Sequence, residues 1–395
     1  MSQNVYLVAT HRTPVGKAIR GVFRYERPDN LLATIIKETL ATVPNLDPEL
    51  IQDGIFGCAM PEGPQGMNIG RIAILLAGLP NTVPGITINR FCCSGVESIA
   101  MMAQRIQSGA IECGIAGGVE SMSSVPMGGN SLSGNPKFFE DPEENIAIAY
   151  GMGITAEVVA QKYNISREAQ DAFAAESNAK AINAIKNGYD KAEIIPYNVT
   201  YNIPNAKGGI DQKHLLVEHD EGPRASTIEG LSKLRPVFRA KGSVTAANSS
   251  QMSDGAGCAV LVSEKFLKEH NLTPIARYVD YQVAGVPPEV MGIGPIVAIP
   301  KVLKSAGIKQ SDLGWIELNE AFAAQSLAVI HDLKLDVSKV NPNGGAIALG
   351  HPLGATGAIR TATAIHGAKR LGEKYAMVTM CIGTGMGAAG IFEVL

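Results

Sequence analysis

Cysteine is scarce in this chain and long apolar runs are missing, and each absence excludes a class of protein. The six cysteines form no CxxC pair and none of the dense patterns typical of disulfide-stabilised secreted domains. The uncharged stretch 72–89 contains two prolines and two asparagines, so it indicates a helix end, a loop and a strand instead of a membrane span. The N-terminal apolar run, residues 5–9, is too short for the core of a signal peptide. The sequence therefore predicts a protein of the reducing cytoplasm with no membrane span.

Charge of either sign is also limited. The chain has 34 Lys and Arg against 37 Asp and Glu, and charged residues make up 18% of it, below the usual fraction of roughly 25%. No basic excess points to nucleic acid or to an anionic membrane surface, although a local basic site for a phosphorylated ligand is still allowed. Glycine, in contrast, is abundant: 43 of the 395 residues are scattered singly among apolar ones. This distribution favours tight turns and close approaches of the backbone.

Strand-like runs alternate with helical patterns in the first 120 residues and again from residue 259 onward. One apolar run, 86–89, leads into a helical pattern over 94–108, and Gly109 stands at the position of a C-cap. This alternation predicts an α/β fold with mostly parallel sheets that are covered on both faces.

The segment 121–242 interrupts this alternation. A polar helix is predicted to begin after an N-cap at Ser166 and to end at Gly188. Its apolar side is expected to carry Ala169, Phe173, Ile182 and Ile185. An irregular polar stretch is predicted over 198–239. Because insertions this long are uncommon in an α/β unit, we interpret the segment as a functional subdomain.

Cys92 is the first candidate nucleophile. It stands just before the helix predicted from residue 94, where unpaired N–H groups and the positive end of the helix dipole favour a thiolate. Cysteine is also among the most buried residue types, so the segment alone is equally compatible with a packing role. The neighbouring Cys93 should point away from Cys92, and we interpret it as a packing residue.

Two further segments carry polar candidates. His351 lies in the glycine-rich loop 341–357, which suits a general base held in place beside a substrate, although a lone histidine is more often structural. Asn319 and Glu320 follow a strand-like run. Their side chains suit the orientation of a water molecule or carbonyl group, but the pair is more often found as the cap of the next helix.

Cys381 is the last candidate and precedes a glycine-rich hairpin. Residues 385–390 match GxGxxG, but only five residues follow, so neither a crossover helix nor a downstream acidic residue can complete a dinucleotide site. A glycine hairpin beside a reactive thiol fits this segment better.

Together these segments resemble the thiolases, a family of acyltransferases that use coenzyme A. The resemblance extends from residue 5 nearly to the last residue. The matching stretches are 13–14, 89–95, 117–123, 152–157, 220–224, 244–256, 291–295, 319–323, 343–357 and 381–387. So many matches in the same order are highly specific.

The resemblance implies a role for each catalytic candidate. Cys92 corresponds to the acylated nucleophile, His351 to the general base and Cys381 to a second acid/base thiol. Asn319 corresponds to the residue that orients a water molecule of one oxyanion hole. The N–H groups of Cys92 and Gly383 correspond to the other hole. Cleaving a carbon–carbon bond next to a thioester needs an acyl acceptor, a proton carrier and oxyanion donors, which these groups would supply without a metal.

The resemblance also implies the coenzyme A contacts and the fold. The contacts would fall on Arg224, Thr227 and Ser250, with Met152 near the pantetheine. Two similar α/β halves would stack as five layers (α/β/α/β/α), with an inserted loop domain. The expected division is 1–120 with 243–265 for the N-terminal half, 121–242 for the loop domain that binds coenzyme A, and 266–395 for the C-terminal half.

The implied reaction is thiolytic cleavage of a 3-ketoacyl-CoA to acetyl-CoA and a shortened acyl-CoA in fatty-acid β-oxidation, by an acetyl-CoA C-acyltransferase. Gly151 stands where the acetoacetyl-specific biosynthetic branch commonly has His, and the extra space favours longer acyl chains. The chain therefore most resembles the bacterial degradative thiolases. Its implied partners are coenzyme A and acyl-CoA, a homodimer or homotetramer, and the α-subunit of a fatty-acid oxidation complex, with no nucleic acid.

Four alternatives remain. The first is a short-chain acetyl-CoA C-acetyltransferase that condenses two acetyl-CoA molecules. The second is a non-catalytic relative that binds acyl groups or sterols, which the presence of all four catalytic matches disfavours. A decarboxylating ketosynthase is disfavoured by the second thiol, Cys381. A thiol-redox protein is disfavoured because vicinal disulfides are strained and CxxC is absent.

Overall fold

The computed structural model describes residues 3–131, 133–140 and 145–395, so small parts of the ranges 1–120 and 121–242 lie outside it. Its strands are β1 (Val5–Arg12), β2 (Gly16–Lys17), β3 (Gly54–Gly57), β4 (Ile86–Ile88), β5 (Cys113–Ser121), β6 (Tyr197–Pro204), β7 (Ile210–Val217), β8 (Ser253–Ser263), β9 (Ala276–Gly285), β10 (Leu313–Leu318), β11 (Tyr375–Ile382) and β12 (Met386–Val394). Its α-helices are α1 (Pro28–Ala41), α2 (Ile69–Leu76), α3 (Ser94–Gln107), α4 (Lys137–Glu140), α5 (Met152–Lys162), α6 (Arg167–Lys186), α7 (Ile228–Ser232), α8 (Glu264–Glu269), α9 (Gly294–Ala306), α10 (Ala323–Leu333), α11 (Ala346–Leu349) and α12 (Leu353–Leu371). No helix within the described ranges is both long enough and apolar enough to cross a membrane.

The two predicted helices form where their capping residues place them. Helix α3 ends at Gln107, and Gly109 follows with a left-handed φ of 76°. Helix α6 begins after Ser166, whose hydroxyl accepts the N–H of Ala169 at 3.2 Å. It ends just before Gly188, where φ is 69°. Side-chain capping at the start and glycine after the end satisfy backbone groups that a helix terminus leaves unpaired.

The prediction of which side of α6 is buried is wrong. Ala169, Phe173 and Ile185 are only partly buried and Ile182 is exposed. The buried face carries Gln170, Asp171, Ala174, Ser177, Asn178, Ala181 and Ala184. Four of these seven side chains are polar, so this helix packs largely through hydrogen bonds. The polar stretch over 198–239 is also less irregular than predicted, because β6 and β7 pair as an antiparallel hairpin within it.

One continuous sheet joins the two ends of the chain. Its strand order is β10-β11-β12-β9-β1-β8-β5-β3-β4, and β2 pairs with β8. The order is the same from the centre outward on each side: β1, β8, β5 and β3 on one side correspond to β9, β12, β11 and β10 on the other. The first two steps outward are antiparallel on each side and the third is parallel. The prediction of mostly parallel sheets is therefore wrong. Short turns such as 383–385, which joins β11 to β12, return the chain as an antiparallel neighbour without a crossover helix. The halves meet where β1 pairs with β9 over two residues.

The helices cover and separate these two halves. Helices α1 and α2 pack on the outer face of the N-terminal half, while α9 and α10 lie on the outer side of the C-terminal half. Helices α3 and α12 contact each other and the strands of both halves, so they form the central layer. The arrangement confirms the predicted five-layered α/β/α/β/α fold. It also brings the N-termini of the two central helices together.

Apolar packing follows the same layers. The outer cores are built from residues such as Leu31, Ile35 and Val260 in one half and Val302, Val329 and Met377 in the other. The central core includes Ile99, Met102, Trp315 and Ile365, all fully buried. The α3–α12 crossing is close because glycines line it: a Cβ on Gly95 would lie 2.6 Å from the backbone nitrogen of Ala358.

Candidate active site

Cys92 is held in a short 3-10 turn, Phe91–Cys93, that runs directly into α3. Phe91 has a left-handed φ of 45°, uncommon for an aromatic residue. Its N–H donates to the Asn89 side-chain oxygen at 2.8 Å, and its carbonyl accepts the Ser94 hydroxyl at 2.7 Å. This turn places Cys92 at the N-terminus of a 14-residue helix, with its side chain half-buried.

Burial decides the charge of the Cys92 thiol. It raises the pKa to about 12, while the backbone N–H groups of Gly383 and of Cys92 itself point at the sulfur and lower it. The nearby carboxylate of Glu120 raises it further. The resting group is therefore a thiol, not the thiolate expected from a helix N-terminus alone, because desolvation outweighs the N–H groups.

Cys93 points into the central core, as predicted. Its side chain is fully buried, and its sulfur lies 3.4 Å from the carbonyl oxygen of Arg90. The hydroxyl of Tyr281 lies 3.6 Å from the same sulfur. The two neighbouring thiols therefore have different surroundings, and only Cys92 faces the candidate site.

His351 is positioned by the loop between α11 and α12. Its backbone N–H donates to the Gln251 carbonyl at 3.0 Å. Its ring is buried, with Nδ1 2.6 Å from the hydroxyl of Thr356. Because the Thr356 hydroxyl donates its one proton to the Pro352 carbonyl at 2.9 Å, it accepts from His351. Nδ1 therefore carries the hydrogen and Nε2 presents the lone pair.

The surroundings of His351 keep the ring neutral. Burial lowers the pKa of His351 to about 3, and the positive charge of the buried Arg360 contributes to the shift. A neutral imidazole with an unprotonated Nε2 can accept a proton, as the role of a general base requires.

Asn319 lies against this lone pair. It follows β10, and its amide nitrogen is 3.3 Å from Nε2 of His351. Among the described residues its buried side-chain oxygen has no hydrogen-bond partner. Such an oxygen can bind a water or substrate donor without losing an existing contact. Helix α10 begins at Ala323 after Phe322, so the capping alternative for Asn319 and Glu320 is wrong.

Cys381 and Gly383 approach Cys92 from β11. Cys381 is buried; burial raises the pKa of its thiol, and the neighbouring Cys92 raises it further. A Cβ on Gly383 would lie 3.7 Å from both the Met152 sulfur and the Phe91 ring. The predicted pantetheine contact, Met152, thus lies beside the thiols, packed against the apolar cluster that contains Cys381.

Side-chain packing and the carboxylate of Glu120 connect the segment that carries Cys92 to the segment that carries His351. Cys92 packs against a cluster containing Leu353, two residues after His351. The Glu120 carboxylate accepts the N–H groups of Ala59 at 2.8 Å and of Gly354 at 2.7 Å. It therefore ties the end of β5 to the loop after β3 and to the start of α12. The structure brings Cys92, Cys381, Gly383, His351 and Asn319 to one region.

The three remaining predicted coenzyme A contacts lie farther out. Ser250 is nearest, since its N–H donates to the Ala321 carbonyl at 2.9 Å in the segment that carries Asn319. Arg224 is exposed on a loop held by its own N–H to the Asn178 side chain at 3.0 Å. Thr227 is exposed, and its hydroxyl accepts the N–H of Gly230 at 3.1 Å as the cap of α7. No described contact joins Arg224 or Thr227 to the thiols.

Sequence reasoning did not single out three residues that shape this site: Glu120, Thr356 and Arg360. Glu120 gave a signal, because an acidic residue directly after the uncharged run 113–119 must have dedicated donors if it is buried. Thr356 and Arg360 gave none, since their parts depend on which face of α12 turns toward His351. No three metal-ligating side chains converge within the described ranges.

Comparison with known proteins extends over the whole chain. The family models for the thiolase N-terminal and C-terminal domains match residues 5–265 and 272–394. A Bacillus subtilis 3-ketoacyl-CoA thiolase is 49% identical over 388 residues, 98% of each chain. The crystal structure of the Bacillus anthracis acetyl-CoA acetyltransferase has a TM-score of 0.89 at 39% identity, covering 100% of this chain and 99% of the other. The dimeric peroxisomal thiolase of Saccharomyces cerevisiae has a TM-score of 0.88 at 41% identity, covering 100% and 98%. The chain belongs to the thiolase family.

Proposed function

We propose that this chain cleaves 3-ketoacyl-CoA with coenzyme A to give acetyl-CoA and an acyl-CoA shortened by two carbons, as a step of fatty-acid β-oxidation. The observation that carries the proposal is the convergence of two thiols, Cys92 and Cys381, with the neutral imidazole of His351. The 3-ketoacyl-CoA thiolase of Bacillus subtilis, matched over 98% of its length, supports the same reaction.

Each group has a task in this reaction. His351 Nε2 takes the proton of Cys92, and the sulfur attacks the 3-keto carbon. The N–H groups of Cys92 and Gly383 stabilise the resulting oxyanion. The C2–C3 bond then breaks, leaving an acyl group on Cys92 and the enolate of acetyl-CoA. The enolate oxygen accepts from the protonated His351 and from a water molecule that Asn319 orients. Cys381 gives its proton to the enolate carbon, which completes acetyl-CoA.

The second half of the reaction restores both thiols. The Cys381 thiolate takes the proton of the incoming coenzyme A, whose sulfur attacks the acyl thioester on Cys92. Cys92 leaves as a thiolate and recovers its proton from His351. Protons and charges balance over the cycle without a metal or a redox step.

The loop of the inserted segment suits the phosphates of coenzyme A. Exposed basic residues are concentrated in it: Arg224, Lys233, Arg235, Arg239 and Lys241. The same range, 224–241, contains one acidic residue, Glu229. This is the local basic site that the balanced overall charge allowed. We assign coenzyme A binding to this loop together with Thr227, Ser250 and Met152.

The acyl chain length separates this function from the acetyl-CoA acetyltransferase alternative. A Cβ on Gly151 would meet no atom of the described residues within 4 Å, so open space among those residues adjoins the start of α5. A longer acyl chain using this space gains up to ~0.8 kcal/mol for each buried CH₂, so two groups favour it by roughly tenfold. The test is kcat/KM for a 3-ketoacyl-CoA of six or more carbons relative to acetoacetyl-CoA.

A ratio above one supports the degradative reaction, and a ratio clearly below one assigns the chain to the acetyltransferase branch. The variant Gly151→His should lower the ratio, and an unchanged ratio would show that the chain runs elsewhere. If neither substrate is cleaved and acyl-CoA still binds, the non-catalytic alternative is correct.

We further propose a homodimer that forms through the outer edge of β4. The opposite end of the sheet is covered by a bridge between Ile316 and Val340, whereas β4 has no outer partner among the described residues. The exposed side chains of Leu75, Leu76 and Ile86 lie on this side of the fold.

Ile86→Lys should produce a monomer in light scattering, while Ile203→Lys, at an exposed isoleucine on the β6–β7 hairpin, should not. A mass of four chains would indicate the tetramer instead, and added mass with a fatty-acid oxidation α-subunit would indicate that complex.

The cysteines are consistent with a reducing compartment. All six are free thiols, and five of them are buried. Because the proposed reaction needs Cys92 and Cys381 reduced, we place the protein in the cytoplasm. Loss of activity under mild oxidation, restored by a thiol reductant, is the expected result.

A further inference from the structure

The candidate site contains a buried carboxylate that the reaction scheme does not use. Glu320 follows Asn319 and is 2% exposed. Its carboxylate accepts the Ser177 hydroxyl at 2.7 Å, the Asn341 amide at 2.8 Å and the N–H of Ile347 at 3.2 Å. Burial raises the pKa of Glu320, and these donors oppose the rise. A buried acid supplied with three donors is costly to assemble, so its position needs a reason beyond packing.

The donors of Glu320 come from the loop that leads to His351. Ile347 lies in α11, four residues before the catalytic imidazole. Asn341 lies at the start of this loop, and its side chain also bonds the backbone of Leu318 through both its oxygen, 2.9 Å, and its nitrogen, 2.8 Å. Glu320 therefore fixes the strand end that carries Asn319 against the loop that carries His351.

Two glycines allow this contact. A Cβ on Gly345 would lie 2.2 Å from the Glu320 carboxyl carbon, and one on Gly344 would lie 2.7 Å from the Ser177 carbonyl oxygen. The N–H of Gly345 donates to the Ser177 hydroxyl at 3.1 Å. The serine thus bridges the loop and the carboxylate with one hydroxyl group.

Ser177 also connects this network to the coenzyme A loop. It lies on the buried polar face of α6, and the next residue, Asn178, accepts the backbone N–H of Arg224 at 3.0 Å. Two adjacent side chains of one helix therefore hold the two functional loops: Ser177 holds the loop of His351, and Asn178 holds the loop of Arg224.

We propose that Glu320 and Ser177 are positioning residues that set the distance between Asn319 and His351 Nε2, and that α6 couples this pair to the coenzyme A loop. The proposal rests on the function proposed above for the roles of His351 and Arg224. Neither Glu320 nor Ser177 is given a proton to transfer. Their contribution is to hold an amide and an imidazole in register, where a misplacement of ~1 Å costs about 10²-fold in rate.

The test compares neighbouring variants by steady-state thiolysis. Glu320→Gln places an amide N–H against the existing donors, so kcat should fall by roughly 10²-fold. Ser177→Ala should lower kcat by about tenfold with KM for coenzyme A within about twofold, as one buried hydrogen bond is lost. Asn178→Ala should mainly raise KM for coenzyme A. Ser177→Thr should restore kcat, because it keeps the hydroxyl and its methyl group can enter the adjoining 260 Å³ cavity lined by Ser177 and Glu320.

A matched control separates positioning from a general loss of packing. Thr363→Ala removes another buried hydroxyl from a helix, one that donates only to the Ile359 carbonyl at 3.2 Å. It should leave kcat unchanged. Equal losses in Thr363→Ala and Ser177→Ala, in proportion to their melting temperatures, would overturn the proposal. So would a wild-type kcat in Glu320→Gln.

A readout without turnover keeps this proposal separate from the proposed function. In ¹⁵N-histidine-labelled protein, the Nδ1 and Nε2 resonances of His351 report its tautomer. Ser177→Ala and Glu320→Gln should both shift the Nε2 resonance, with the resonances of His11 and His366 unchanged as internal references. Unshifted Nε2 resonances in folded variants would overturn the positioning role. Absence of thiolysis in the wild type would overturn only the function.

Discussion

The two halves of the molecule have the same strand order but carry different chemistry at corresponding places. In the N-terminal half the central helix α3 begins just after Cys92, and in the C-terminal half the central helix α12 begins just after His351. A thiol and an imidazole thus occupy equivalent helix N-termini, side by side in the middle layer. The comparison shows how a doubled fold can place two different reactive groups at one point without a long loop.

Burial acts on these two groups in opposite directions and leaves both neutral. It raises the pKa of Cys92 to about 12 and lowers that of His351 to about 3. The strands show a similar contrast, since the next-to-last residue of β5 is Glu120 and that of β11 is Cys381. The Glu120 carboxylate accepts backbone N–H groups from two other segments and holds them in place. Cys381 instead packs among apolar side chains, and its thiol keeps its proton. Equivalent backbone positions therefore carry a structural carboxylate in one half and a proposed acid/base thiol in the other.

The largest expected effect is on the half that carries the proposed nucleophile. Cys92→Ala should lower thiolysis by roughly 10⁴-fold or more, because the acyl acceptor is lost. Mass spectrometry after incubation with acyl-CoA should find one acyl group on Cys92 in the wild type and none in the variant. Cys93→Ala is the matched control and should still be acylated. An adduct on Cys93 with Cys92 free would contradict the assignment.

The second prediction divides the proton transfers of the C-terminal half. His351→Gln should prevent acylation of Cys92. Cys381→Ala should permit acylation but slow the exchange of the α-protons of acetyl-CoA with solvent, by the ~10²–10⁴-fold typical of a lost acid/base group. Deuterium uptake followed by mass spectrometry measures the exchange. Cys258→Ala, a fully buried cysteine of β8, controls for the loss of a buried thiol. Exchange at the wild-type rate in Cys381→Ala would remove that residue from the scheme.

The third prediction concerns Gly383, which follows β11 of the C-terminal half and lies next to Cys92 of the N-terminal half. Gly383 is free to carry a side chain in this fold, since its Cβ would be at ordinary contact distance, 3.7 Å, from Met152 and Phe91. Gly383→Ala should therefore melt near the wild-type temperature. The added methyl group would displace the thioester from the N–H groups and lower kcat/KM by about 10²-fold. Alkylation of Cys92 by iodoacetamide should continue, and full activity in this variant would place the substrate elsewhere.

The alternation of strands and helices was predictable because it depends on local patterns, whereas the five-layered stacking was predicted only from the resemblance to thiolases. Strand-like runs, the helix over 94–108 and the cap at Ser166 are read from a few neighbouring residues, and each formed as predicted. Cys92 was recognisable from its position before a predicted helix, and His351 and Cys381 from their glycine-rich surroundings. Their roles stay predictions until the variants above are measured.

What could not be predicted depends on contacts between distant segments. The apolar residues of α6 suggested one buried side, but the helix instead buries Gln170, Asp171, Ser177 and Asn178. Burying a polar face costs free energy unless partners such as Glu320 and Arg224 form hydrogen bonds to it. The positions of these partners depend on the whole fold. The same reason hid Thr356, which sets the tautomer of His351 only after α12 has docked.

The smallest expected effect concerns the contact between β1 of the N-terminal half and α12 of the C-terminal half, and it is measured as a change in stability. His11 of β1 packs against His366 of α12, with ring centres 5.7 Å apart. Burial lowers the pKa of His11 from 6.5 to about 4, and His366 adds to the shift. The folded state disfavours the charged ring of His11. The contribution of this residue to the free energy of unfolding is therefore fully present above pH 6.5 and is lost as the pH falls toward 4. The loss can reach about 3 kcal/mol, at 1.36 kcal/mol for each unit of pKa shift. Urea unfolding at pH 7.5 and pH 5.0 should show a smaller decrease for His11→Gln than for the wild type, while His214→Gln, on the exposed hairpin, should behave like the wild type. If His11→Gln loses as much stability as the wild type over this range, the acid sensitivity of the fold comes from other groups, such as His351, and not from this seam.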